Sequence, residues 1–233
     1  MGSHPPGADY FALGKSLERT GDLDQAARYF SKAVKISEQF AQADPGNATR
    51  REYVGEVYNG LRSVLAKQGD HLQSMLYARK SYQLFQQLTA ADPTNALART
   101  NFALSSVDMG QLMISNGEPQ QGLPYVRKAI TIFEGIDHKN RYEIAGQASS
   151  YGIIGTFYFS LAAKDHSNRD KLVHLQEARS WYQKSFNTWQ QEPDHGAVDP
   201  LDGDLTSDLA ARQLAKCETS LKELGAAKAE LPH

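Results

Sequence analysis

The apolar and polar positions of the chain alternate with helical periodicity. Between residues 76 and 88, Leu76, Ala78, Tyr82, Leu84, Phe85 and Leu88 form a broad apolar face at the spacing of an α-helix. No segment sustains the period-two pattern of a half-buried strand, so the sequence reads as all-α. The helical pattern also recurs at a fixed distance. Ala-Asp-Pro-x-Asn-Ala occurs at Ala43–Ala48 and again at Ala91–Ala96, 48 residues on. The same offset relates Gly21-Asp22, Gly69-Asp70 and Gly117-Glu118, and also Tyr29, Tyr77 and Tyr125. It relates Lys32, Lys80 and Lys128, and Ile36, Leu84 and Ile132. Agreement at so many positions marks an internal repeat rather than coincidence.

A fourth copy follows with altered spacing. Ile154-Gly155 answers Met109-Gly110 at an offset of 45, while Trp181, Lys184 and Trp189 answer Tyr125, Lys128 and Phe133 at 56. Eleven residues are therefore inserted between its two helices, and the polar stretch Lys164–Lys171 is where a loop is expected. In each unit, Asn47 and Asn95 precede helical runs from Ala48 and Ala96, behind prolines that end the previous helix. Gly21, Gly69 and Gly117 stand where one helix must stop and the chain reverse, a place suited to positive φ.

These signals divide the chain into four helical repeats, about 8–45, 46–93, 94–137 and 138–192. Pro193, Gly196 and Pro200 mark a linker over 193–204, with helix caps available between Asp204 and Asp208. A closing helix is expected over 205–225 and a tail over 226–233. Residues 1–7, opening Met1-Gly2-Ser3-His4, lack the regions of a signal peptide and read as a disordered cloning leader, which implies a fragment of a larger protein.

Composition narrows the function without supplying it. The net charge is −2, with 25 basic and 27 acidic residues, so nothing favours nucleic acid or anionic lipid as a partner. No apolar run approaches the roughly 20 residues of a membrane span, so direct insertion of this segment is not expected. The single Cys217 excludes an internal disulfide framework and a cysteine-cluster metal site. It leaves the compartment open: cytoplasmic for a free-standing protein, extracytoplasmic if a membrane span precedes.

Unit one carries Tyr10, Leu13-Gly14 and Leu17, then Gly21-Asp22, Ala26, Phe30 and Ala33. This series resembles the tetratricopeptide repeat, in which small residues let paired helices approach while large ones fill the space beside them. Unit two keeps Tyr58, Leu61, Leu65 and Ser81 but has Arg62 in place of the glycine. Unit three keeps Met109-Gly110, Met113 and Ala129 but has Ser106 in place of the aromatic residue. Unit four keeps Tyr151, Ile154-Gly155, Tyr158, Ala178, Tyr182 and Ser185. The period departs from the family's usual length of about 34 residues, the excess extending both helices.

Glu38–Ala48, with Ala178–Ser185 and Ala215–Glu218, is similar to the long-repeat region carboxy-terminal to the kinase domain in acidobacterial serine/threonine protein kinases. The resemblance implies a right-handed superhelical solenoid of about four antiparallel helix pairs with a C-terminal capping helix. It also implies a non-catalytic scaffold or sensor module attached to kinase signalling.

Candidate chemistry is sparse. Gly14-Lys15-Ser16 looks like the end of a phosphate-binding loop, but Asp9 stands where its first glycine belongs and no strand precedes it. His166, Asp170 and His174 offer metal-ligating types in the insertion, and Asp170 and His174 would share a helical face. Their polar surroundings (Asp165, Asn168 and Arg169) favour a solvated loop. Asp199, Asp202 and Asp204 do not match the spacing of a calcium loop. Leu214, Cys217, Leu221 and Leu224 recur at three and four, which places Cys217 on a packed stripe rather than in a reactive site. Lys32, Lys80, Lys128 and Lys184 are either a basic ridge or solvated lysines, and solvation is the default. No catalytic residue, metal site or cofactor is expected.

Partners are expected instead on a concave groove lined by the first helix of each pair. Matched repeat positions place Glu52, Asn59 and Ser63 of unit two there, with Thr100, Val107 and Gln111 of unit three and Gly152 and Thr156 of unit four. This polar, small lining suits an extended protein or peptide ligand held through its backbone. Stacking of array ends into a homo-oligomer is the alternative, and an enzyme site at the unit-four insertion is the least supported reading.

Overall fold

The computed structural model describes residues 4–137, 139–191 and 207–229, with side chains to residue 225. The described residues are helical, without a strand, and the helices run α1 Ala8–Thr20, α2 Leu23–Gln42, α3 Ala48–Lys67, α4 His71–Ala91, α5 Ala96–Ser115, α6 Pro119–Glu134, α7 Arg141–Lys164, α8 Asn168–Trp189 and α9 Ser207–Ala229. They form two compact units, residues 1–112 and 113–233, the division falling within α5. The linker expected over 193–204, with Asp199, Asp202 and Asp204, lies outside the described residues, as do 1–3 and 230–233.

The turns follow from their residues. Gly21, Gly69 and Gly117 adopt φ of 84°, 80° and 85°, the left-handed conformation that costs other residues a clash of Cβ with the backbone. The Asp22 and Asp70 carboxylates then accept from the Gln25 and Gln73 backbone N–H groups and cap α2 and α4. Glu118 makes no such cap, and α6 starts instead on Pro119, whose missing N–H belongs to an unpaired position in any case. Asn47 and Asn95 cap α3 and α5 by accepting from Arg50 and Ala98 N–H.

In the first unit, α2 supplies Ala26, Phe30, Ala33 and Val34 and α3 supplies Val54, Val57, Tyr58, Leu61 and Val64 to one buried cluster. Gly14 permits this packing, because a Cβ there would stand 3.0 Å from the Phe30 ring. Unit two has Arg62 at the matching position, and Ala78 stands where Phe30 stood, so the bulky residue has changed helices. Arg62 then reaches Asp108 of α5, with Nε 3.2 Å from the carboxylate.

In the second unit the inserted residues form no loop, contrary to the sequence expectation. α7 runs nine residues past Gly155, against five for α5 past Gly110, and α8 starts thirteen residues before Trp181, against six for α6 before Tyr125. These added turns account for the whole insertion, and only 165–167 join the two helices. Ala162, from the added turns, and Leu175, the first residue after them, are buried with Ala178, Tyr182 and Cys217, and Leu214, Leu221 and Leu224 of α9 pack on this cluster. The added turns thus contribute one edge of the seat of α9.

Candidate partner-binding face

Three expected groove residues lie on α3. Ser63 is buried and donates to Glu18 of α1 at 2.6 Å, and the same Glu18 oxygen accepts from Lys67 Nζ at 2.7 Å. Glu52 is also buried and accepts from the Asn95 amide at 2.7 Å. That bond orients Asn95 so that its oxygen faces Ala98 N–H and caps α5. Glu52 and Ser63 therefore brace neighbouring helices. Asn59 differs: it is half-buried, and its Oδ1 has no hydrogen-bond partner. On α5, Thr100 and Val107 are buried and Gln111 is exposed.

In the second unit α8 and α9 occupy the expected positions. A Cβ on Gly152 would lie 3.5 Å from Ser185 Oγ and 3.7 Å from Gln213 Oε1. Thr156 Oγ1 accepts from Tyr182 Oη at 3.2 Å and Gln213 Nε2 at 3.3 Å, and donates to Gly152 O.

The face on α1 and α3 contains residues that the repeat register did not single out. Tyr53 stands edge-on to Phe11 at 6.2 Å, and Lys15 lies over the Phe11 ring. The Tyr53 hydroxyl is buried without a hydrogen-bond partner, and Asn101, at the same repeat position in α5, has an unpaired amide nitrogen. Burial, with the negative charges of Glu56 and Asp9, pushes the Tyr53 phenol up to about 12. Burial and the neighbouring Glu52 raise the Glu56 carboxyl, against the opposing charge of Lys15. Glu56 was legible in principle, since it continues the Glu52, Asn59 and Ser63 stripe at helical spacing.

Two of the recurring lysines, Lys80 and Lys184, stack on aromatic rings. Lys80 lies over the rings of Tyr58 and Tyr77 at 5.1 and 5.3 Å, and Lys184 lies over Tyr151 and Trp181 at 5.8 and 4.4 Å. Each set receives a carboxylate from the preceding pair: Tyr58 Oη donates to Glu38 at 2.6 Å, and Tyr151 Oη to Glu134 at 2.7 Å. Burial and the hydrogen bond to Glu38 raise the Tyr58 phenol, and the same causes push Tyr151 up to about 12. Unit three has Ser106 for the tyrosine, and the preceding helix has Gln86 for the glutamate, so both halves of the contact change together.

The remaining candidates are structural. Gly14-Lys15-Ser16 lies inside α1, away from any helix N-terminus. His174 Nδ1 pairs with Asp165 at 2.7 Å rather than with Asp170. Cys217 is fully buried, its Sγ donates to Leu175 O, and burial pushes the thiol up to about 11. Among the described residues no three His, Cys, Asp or Glu side chains gather as metal ligands, and no helix is long and apolar enough to cross a membrane.

Residues 7–40, which span α1 and most of α2, match the tetratricopeptide repeat family model. The crystal structure of BtubC (BKLC) from P. vanneervenii is similar in fold, with a TM-score of 0.59 at 15% identity over 97% of this chain and 84% of that one. The MamA protein aligns over 97% of each chain at 16% identity, but its TM-score of 0.39 is too low to argue from. No curated protein sequence matches the chain. The chain therefore carries a tetratricopeptide repeat and has a tetratricopeptide-like all-α fold.

Proposed function

We propose that this chain is a non-catalytic protein-interaction module, and that the first-helix face of its N-terminal unit takes an extended peptide. The carrying observation is Asn59, whose half-buried side chain holds an amide oxygen with no partner. An unpaired buried acceptor costs on the order of 1–3 kcal/mol, and a side-chain rotation that brings it to a peptide N–H relieves that cost. Tyr53, Phe11 and Lys15 supply an amphipathic surface beside it. The paired, buried Glu52 and Ser63 hold the helices in place, so Asn59 with Glu56 and the exposed Gln111 carry the recognition.

The test is a peptide selected from a random display library against the full chain and measured by fluorescence anisotropy. Asn59→Ala is expected to weaken it about tenfold, as loss of a paired amide requires. An unchanged affinity would place recognition elsewhere.

The narrower role, a scaffold or sensor in bacterial serine/threonine kinase signalling, draws support from the residues around Glu38–Ala48 and Ala178–Ser185. A reading frame that encodes no kinase domain beside these repeats would remove it.

A further inference from the structure

We propose that the peptide taken by the first-helix face is anchored by a side-chain carboxamide, a glutamine or an asparagine, held between Asn59 of α3 and Asn101 of α5. This rests on the peptide-binding reading above and adds the chemistry of the anchor. Repeat register and packing bring the two asparagines together. Phe11 and Tyr53 meet edge-on at 6.2 Å across the seam between α1 and α3, and 48 residues further on the same two positions hold Asn59 and Asn101. The seam between α3 and α5 is pinned on both sides of them. Glu52 accepts from Asn95 at 2.7 Å, and Arg62 Nε stands 3.2 Å from the Asp108 carboxylate. Both amides thus belong to one compact unit, in a seam with a helix on either side.

Where the first seam is closed by rings, the second holds two unmet hydrogen-bonding atoms. Asn59 Oδ1 and Asn101 Nδ2 are each shielded from solvent without a partner, so this acceptor and this donor are not bonded to each other. Each residue is half-buried, and rotation of its side chain brings the amide toward the open face. The two atoms call for one N–H and one C=O presented side by side. A backbone peptide group does not supply them, because its trans N–H and C=O point in opposite directions. A carboxylate offers only acceptors and leaves Asn59 unmet, while an ammonium or guanidinium offers only donors and leaves Asn101 unmet. A primary carboxamide has a donor and an acceptor on one edge and meets both. The cost of leaving either atom unpaired makes that discrimination steep.

The test uses peptides selected from a random display library against the full chain, in which one position should be fixed as glutamine or asparagine. In fluorescence anisotropy, replacing that residue by glutamate, and separately by methionine, should each weaken binding about tenfold. Asn101→Ala should weaken it as Asn59→Ala does, and the methionine peptide should lose nothing further when both asparagines are alanine. Asn101→Asp, which exchanges the donor for a second acceptor, should move the selected residue to lysine or arginine, a change that lost packing alone would not produce. Circular dichroism checks the fold of each variant, and the peptide substitutions need no change in the protein. A selected set without a fixed carboxamide, a glutamate peptide that binds equally well, or a silent Asn101→Ala would each overturn the proposal. The peptide-binding reading would then stand if Asn59→Ala still weakened binding. Displacement of the peptide by adenosine, whose N6–H and N7 present the same edge, would also overturn it. If no peptide is selected, or Asn59→Ala changes nothing, both readings fall.

Discussion

The helical hairpins α3–α4 and α7–α8 are built on the same repeat positions and solve the same packing problem differently. In α3–α4 the hairpin is short, turns on Gly69, and has Arg62 and Ala78 at the repeat positions held by Gly14 and Phe30 in α1–α2. In α7–α8 the helices extend past the usual turn, the connection is capped by Ser167, and Gly155 lies against Tyr182. The short hairpin leaves Leu72 and Leu76 exposed on its second helix, whereas the long one buries Ala162, from its added turns, and Leu175 beneath α9. The repeat thus tolerates a change of length because helix length is free to vary wherever a following element buries what is added.

Both tryptophans, Trp181 and Trp189, lie on α8, so tryptophan fluorescence reads the long hairpin selectively. The largest expected effect is Leu175→Ala. It should cost about 3 kcal/mol in urea denaturation followed by tryptophan fluorescence, because it leaves a cavity under α9. It should also speed alkylation of Cys217, which the intact protein shields. Leu72→Ala, at an exposed leucine near the start of α4, should cost next to nothing. If the two cost the same, the contrast between the hairpins is wrong.

Gly155→Ala comes next. Its Cβ would stand 2.6 Å from the Tyr182 ring, and a loss of about 2 kcal/mol is expected despite the better helix propensity of alanine. A smaller residue at 182 should restore part of it in a double-mutant cycle, reproducing the Arg62–Ala78 exchange.

Tyr151→Phe should cost about 1.5 kcal/mol through the lost bond to Glu134. Because the native phenol is raised to about 12 from 10.0, its contribution is intact below pH 10 and is lost between pH 10 and about 12, where the unfolded phenol ionises first. Stability measured across that range should fall less steeply in the phenylalanine variant. The Cys217 thiol, raised to about 11 from 9.0, adds a fall of the same sign beginning near pH 9.

The smallest contrast is between turns. Asp70→Ala should cost about 1 kcal/mol by circular dichroism, and Glu118→Ala should change little, since only the aspartate caps its helix.

Much of this architecture was legible because the repeat is written in residues with one local job. Asn47 and Asn95 start helices, and Gly21, Gly69 and Gly117 end them, by chemistry that reaches only three or four residues. The insertion was misread for the opposite reason. Its polar residues describe a solvated surface, which is true of one face, while Leu175 and Ala178, just beyond it on α8, mark a buried face whose partner lies some forty residues away on α9. The lysine stacks were missed because each joins residues of different helices, although the paired change to Gln86 and Ser106 was visible. Of the candidate face, the register placed α3 correctly along the chain but could not tell Ser63 and Glu52, which are consumed internally, from Asn59, which is not.

The bond from Glu52 to Asn95 bears on how order spreads through the first unit. Glu52 belongs to α3, yet it settles which end of the Asn95 amide faces the start of α5. A helix two elements upstream therefore sets the capping of the one that follows. Such a link makes neighbouring pairs statistically dependent, raising the nearest-neighbour term relative to what each pair contributes alone. Native-state hydrogen exchange should then show the first turn of α5 opening with α3 rather than by itself, and Glu52→Leu, which removes the acceptor, should uncouple the two.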